Sequence, residues 1–206
     1  MAATDGVTVH NIADRGDVIL LVGVPPRAKI RVFSPILTAA SPVFAAMLGP
    51  HFREGQGERS AESPKGIALP DDDPTAMTAM CRLLHFLTPQ DFMDDPRPKR
   101  IFSLALAIDK YACRDALHLQ SRGLLSLWLD TYPDEDQLFP LSRMAAVAHL
   151  CNHKTAFRTL TKRLIMGNGT AFSSLLGLEA GKVVQILSAQ FLRKYDVLSP
   201  HYQQWS

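Results

Sequence analysis

The sequence predicts an α+β fold: a small sheet flanked by helical hairpins, followed by an all-helical C-terminal extension. Three observations predict it. Asp17 to Gly23 (D-V-I-L-L-V-G) is a near-continuous apolar run closed by glycine, and Lys29 to Phe33 alternates, so the two read as paired strands. Ser34-Pro35 and Ser41-Pro42 each open a short helix. A serine oxygen there caps free backbone N–H groups, and proline at the first helical position lacks an N–H that would be an orphan anyway. Beyond Pro133-Asp134-Glu135-Asp136 the apolar periodicity is only helical.

The elements follow in order. Residues 1–16 form a polar N-terminal arm in which Val7, Val9 and Ile12 fit a short edge strand. Val24-Pro25-Pro26-Arg27 is a turn between the paired strands. Ile36 and Leu37, then Val43, Phe44, Met47 and Leu48, give the two hairpin helices apolar faces. Residues 53–66, rich in Gly and Ser, read as a mobile loop. Ile67-Ala68-Leu69 is a short strand, and Asp73-Pro74 is the cap and first residue of a helix striped by Met77, Met80, Cys81, Leu84 and Leu87. Residues 88–100 are a proline-rich connection, with Phe92 and Met93 exposed in it as candidate contacts, although apolar loop anchors are the commoner case. Ile101, Leu104, Ala105, Ile108, Tyr111 and Ala112 stripe the next helix, and a further helix covers 114–130. Leu141, Met144, Ala145 and Ala148 mark a helix of the extension; Phe157, Leu160, Leu164 and Ile165 mark the next; Val183, Ile186, Leu187 and Phe191 mark the last. The chain thus divides into an arm (1–16), a mixed domain (17–130) and a helical extension (134–206).

Composition narrows the function classes. The net charge of +2, with 47% apolar and 20% charged residues, fits a soluble globular chain and supplies no strong field for nucleic acid or an anionic membrane. Three separated cysteines without CxxC spacing point to reduced thiols and a cytoplasmic or nuclear location. The N-terminus lacks the basic and apolar regions of a signal peptide, and no apolar run approaches the roughly 18 residues of a membrane helix.

Motifs of catalysis are lacking: there is no GxSxG, GxGxxG, Walker loop or HExxH. Asp71, Asp72 and Asp73 offer carboxylates for a cation, but acidic residues at a helix N-terminus are the simpler reading. His149 and His153 would share a helix face, yet Cys151 between them would point roughly 200° away, so a solvated or core histidine pair outweighs a zinc site. Lys154, Arg158 and Lys162 form a basic stripe best read as a solvated face. No catalytic, cofactor-binding or metal-binding residue is assigned. Asn168-Gly169-Thr170 matches a glycosylation sequon but reads better as a helix stop.

The ordered set D-V-I-L-L-V-G, F-S-P-I-L-T-A-A-S-P-V-F-A-A-M-L, I-A-L-P-D-D-D-P and L-A-I-D-K-Y-A resembles the BTB/POZ family, in its fungal wording, over roughly residues 15–120. The helical remainder resembles the BACK-type extension that often follows such a domain. The resemblance implies a non-enzymatic protein–protein interaction module, either a substrate adaptor for a cullin-RING ubiquitin ligase or a self-associating, transcription-related scaffold. Cullin-binding members carry a hydrophobic-x-Glu motif after the helical hairpin, and Phe52-Arg53-Glu54 stands at the matching position. Phe52, Glu54, Phe92 and Met93 are therefore the candidate partner-binding residues. Phe33 stands where the family has histidine, and Thr88 where it often has tyrosine. Residues 1–16 lack the amphipathic helix of exchanged dimers, so a homodimer, if one forms, is expected to be weak.

Overall fold

The computed structural model describes residues 7–167 and 181–187. Phe191 and the Asn168-Gly169-Thr170 stop lie outside them. The chain is mixed α+β: every described strand precedes Pro70, and every described element beyond is helical. It splits into two compact units. One takes the chain to Asp95 together with Leu106–Gln120; the other takes Pro96–Ala105 and the chain from Ser121 on.

The first unit is built on a four-stranded sheet of order β1-β3-β2-β4. Its strands are β1 (Thr8–Asn11), β2 (Val18–Val22), β3 (Ala28–Val32) and β4 (Lys65–Leu69). β2 and β3 form the expected antiparallel hairpin, while β1 lies parallel to β3 and β4 parallel to β2. One face carries the core. Val18, Leu20 and Val22, with Ala28, Ile30 and Val32 opposite and Ile67 and Leu69 beyond, are all buried. Period-two alternation puts one residue in two on that face. Two short helices, α1 (Ser34–Ala40) and α2 (Pro42–Met47), follow, and then α3 (Pro74–Leu84), which packs on β3 and α1. α3 buries Met77, Met80, Cys81 and Leu84 of its expected stripe, whereas Leu87 lies past the helix end and is 39% exposed. Burial pushes the Cys81 thiol far up, and the Cys113 thiol up to about 11, so both remain protonated core groups.

The caps divide between local and distant donors. Asp73 accepts from Ala76 N–H at 2.7 Å, and Ser41 accepts from Phe44 N–H at 3.0 Å, both as predicted. Ser34 is different. It lies inside α1, and the cap is Asp17, whose carboxylate accepts from Ser34 N–H at 2.7 Å and from Ser34 Oγ–H at 2.6 Å. Burial pushes the Asp17 carboxyl up, but the hydrogen bonds from Ser34 and its own backbone outweigh that and hold it below its ordinary value.

The segment after helix α5 (Pro98–Lys110) locks the hairpin helices in place. Tyr111 stacks on Phe44 with ring centroids 4.4 Å apart and planes 7° from parallel. Its carbonyl accepts from Ser41 Oγ–H, and its hydroxyl donates to Asp72 Oδ2 at 2.8 Å. Lys110 Nζ holds the other Asp72 oxygen at 2.8 Å. Burial, with the Asp72 carboxylate beside it, pushes the Tyr111 phenol far up, so it serves only as a donor. The Asp71–Asp73 run thus supplies a cap and a clamp within the protein.

Three helices end in one motif, and none of the three uses glycine. After α3, Phe86 has φ 61°, Leu87 N–H donates to Arg82 O and Phe86 N–H to Leu83 O. After α5, Ala112 has φ 51°, with Cys113 N–H on Ile108 O. After α7 (Leu138–Leu150), Asn152 has φ 57°, with His153 N–H on Ala148 O. This is the Schellman arrangement, whose left-handed residue is normally glycine. It corrects two expectations: Ala112 is an exposed helix end, not part of the α5 stripe, and His149 and His153 do not share a helix. Left-handed backbone costs an L side chain roughly 1 kcal/mol, and the Phe86 ring, 88% exposed, returns little packing. Phe86→Gly should therefore stabilise by about 0.5–1 kcal/mol, a rise of roughly 2–4 °C in Tm, read by calorimetry. A fall in Tm would show that the ring packs.

His85 ends α3 and takes the hydrogen bond of the Phe33 backbone. Its Nε2 accepts from Phe33 N–H at 3.0 Å, and its Nδ1 lies 2.8 Å from Cys81 O, a geometry that assigns the proton to Nδ1. An imidazole from the end of α3 thus satisfies the Phe33 backbone N–H. Burial lowers the His85 pKa against the opposing Cys81 bond. The neutral form is thus the folded one, and its contribution is complete above about 6.5, the unfolded value. It is lost as pH falls from there through the lowered folded value. Melting temperature should fall between pH 7 and 5, and His85→Gln, which cannot titrate, should flatten that slope; an equal slope in the variant would assign the effect elsewhere.

The second unit is helical. α7 packs between α8 (Lys154–Gly167) and α9 (Gly181–Ile186), and its expected stripe, Leu141, Met144, Ala145 and Ala148, is wholly buried. Trp128, on α6 (His118–Thr131), is fully buried.

Candidate partner-binding surface

The turn after α2 carries Phe52 and Glu54. α2 stops at Leu48, and Gly49 N–H returns to Ala46 O. The chain then folds tightly: Gly55 N–H donates to Phe52 O at 2.9 Å. The turn closes so hard that a Cβ on Gly55 would lie 1.7 Å from Gly49 O, a contact only glycine avoids. Two cations brace it from outside. Lys65 Nζ, at the start of β4, donates to Arg53 O at 3.1 Å and also to Gln56 O, and Arg59 donates to Leu48 O at 3.2 Å. The loop expected to be mobile is therefore tied down at both ends by side chains.

On this braced turn Phe52 is 51% exposed and Glu54 half-buried. A half-exposed phenylalanine among His51, Arg53 and Glu54 has its apolar area in water, where burial against a partner yields about 25 cal/mol per Å². The nearby carboxylate supplies an acceptor. Phe52 and Glu54 thus place an apolar ring and a carboxylate two residues apart on one turn.

The other two expected contacts belong to a different element. Residues 90–94 form a helical turn, α4 (Gln90–Asp94), with Gln90 Nε2 bonded to Asp94 Oδ1 at 2.8 Å across it. That turn rotates Phe92 inward, to 2% exposure, so Phe92 is a core anchor and not the surface contact its proline-rich setting suggested. Met93, next to it, is 42% exposed. Phe92 also lines a cavity to which the Phe52 turn contributes nothing.

The remaining candidates resolve into structure. Asn152 breaks the helix between the histidines: His149 is exposed and tilts over Phe157 at 5.8 Å, while His153 is buried with Nε2 3.1 Å from Ser121 Oγ. Among the described residues no three His, Cys, Asp or Glu side chains converge on a metal position. Lys154, Arg158 and Lys162 are exposed along α8, opposite the buried Leu160 and Leu164. No described helix is long and apolar enough to cross a membrane. No protein-family model and no curated protein sequence matches the chain.

Proposed function

We propose that this chain is a non-enzymatic protein–protein interaction module of the BTB/POZ type. It acts as an adaptor that docks a cullin scaffold through Phe52 and Glu54, with the helical extension left to engage substrate. The observation that carries the reading is the exposed Phe52 ring on a turn braced by Lys65 and Arg59. An anchor held in place before binding loses little conformational entropy when it docks. The order of elements supports the same reading: a strand hairpin, two short proline-started helices, a strand and a capped helix. Calorimetric titration of the chain against the N-terminal region of a cullin from the same organism tests it. Saturable binding at tens of micromolar or tighter is expected.

A second reading, a self-associating scaffold, is favoured by Val9. It is 69% exposed on β1, which is an edge strand among the described residues, and an unpaired edge is a template for another chain. Light scattering that shows a dimer persisting on dilution, together with no cullin binding, would select it.

A further inference from the structure

Strand β1 is inside out. Thr8 and His10 pair with Ala28 and Ile30, both buried on the helix-facing side of the sheet, so they share that side; Val9 faces the other way. A strand at the margin of a core normally turns its valine inward and its threonine and histidine to water. Here the polar residues point toward the helices. A local rule broken in this way marks a site with a purpose beyond packing.

What they face is a cavity of about 500 Å³, within the range of small-molecule sites. Its opposite wall is the second face of α3. Thr75, Thr78, Ala79 and Arg82 recur at helical spacing there, away from the packed face that carries Met77 and Met80. The side chains on this wall are short apart from Arg82, and Ala28 across from them is short too, which is why the space stays open. Arg27 lies at one side, and Gln90 and Asp91 of α4 at another.

The charges in this cavity do not cancel. Arg27 and Arg82 are positive and Asp91 negative. Burial, followed by the Arg82 charge, lowers the His10 pKa, so the imidazole is neutral at pH 7 despite Asp91. One positive charge is left over, which suits a singly charged anion better than a phosphate dianion. Arg82 is held in position by Nε and Nη2, both donating to Thr88 O at 3.1 and 3.0 Å. Thr8, Thr75 and Thr78 line the same space; the Thr78 hydroxyl donates to Pro74 O at 2.8 Å, so toward a ligand its oxygen serves as an acceptor.

We propose that this cavity is a binding site for a small hydroxylated monocarboxylate, its carboxylate held by Arg27 and Arg82 and its hydroxyls by the threonines. The site is independent of the Phe52 turn, so it stands whether or not the chain docks a cullin.

The test is an amide-resolved NMR titration of the full chain with gluconate, lactate and shikimate. Sorbitol serves as the uncharged control and inorganic phosphate as the dianion. Saturable shifts at Thr8, His10, Thr75 and Thr78 are expected from at least one carboxylate at millimolar concentration, and not from sorbitol. Arg27→Gln, at an exposed position, should fold normally and weaken that binding about tenfold, as loss of one charge-assisted hydrogen bond does. The proposal is overturned by non-saturating shifts from all three carboxylates, by an equal response to sorbitol, or by unchanged affinity in Arg27→Gln. Tighter binding of phosphate than of any carboxylate would overturn the monoanion assignment.

Discussion

Phe44→Ala should cost about 3–5 kcal/mol, the range for deleting a phenyl ring from a packed core. The ring is completely buried and lies flat against Tyr111 at 4.4 Å. Truncation removes the ring and leaves one face of Tyr111 without its stacking partner. Tyr111 cannot easily collapse into the space, because Asp72 holds its hydroxyl and Ser41 its carbonyl. The cost should therefore sit at the upper end of the range, a drop of roughly 10 °C or more in Tm for a chain of this length. Urea unfolding followed by near-ultraviolet circular dichroism measures it. A loss under about 1 kcal/mol would mean that the surroundings close over the gap.

Phe52→Ala is the converse case. With half its surface in water, the ring contributes about 1 kcal/mol to the fold, and melting should fall by only a few degrees. On the proposed reading its larger contribution appears on binding. A buried aromatic anchor at an interface typically costs roughly 2–4 kcal/mol when truncated, so cullin affinity should fall about thirtyfold or more. Glu54→Ala should cost less, since a charge near the rim is screened. Titration of wild type and both variants gives the comparison. If wild type shows no binding at tens of micromolar, the adaptor reading fails and the scaffold reading replaces it. If Phe52→Ala instead lowers Tm by many degrees, the ring is part of the core and its place in a hydrophobic-x-Glu motif is accidental.

What could be read directly from the chain were features whose cause is local. The β2–β3 hairpin follows from two apolar patterns flanking a Pro-Pro turn, and the Ser41 and Asp73 caps from a side chain three residues before the N–H it accepts. Features whose partner is distant were not legible. Asp17 caps α1 from 17 residues away, and Asp72 receives the Tyr111 hydroxyl across 39. No propensity signals such pairings. Helix ends failed for another reason. Phe86 and Ala112 occupy positions where glycine would have announced the stop; Asn152 was the one usable clue, since asparagine tolerates left-handed backbone. At the candidate surface, Phe52 stands in a run of polar residues and lies half in water. Phe92 was misplaced because one turn of helix is too short for periodicity to reveal its buried side. The cavity beside β1 carried one readable sign, Thr8 and His10 alternating with Val9, but which way the strand faced depended on its pairing with β3.

The topology of the sheet bears on the order in which it assembles. β2 and β3 are joined by the short turn Gly23 to Arg27, so their pairing closes a small loop at little entropic cost. β4 joins β2 only after both hairpin helices and the long loop to Lys65 have been gathered in, and β1 joins β3 in parallel from the chain's start. Non-local closure of this kind is slow relative to a hairpin. The sheet should therefore grow from its middle outward, with its flanks, and the Phe52 turn that Lys65 braces, completed late. In pulse-labelled hydrogen exchange during refolding, Leu20 and Ile30 would gain protection before Ile67; the opposite order would mean that the helices, not the hairpin, seed the fold.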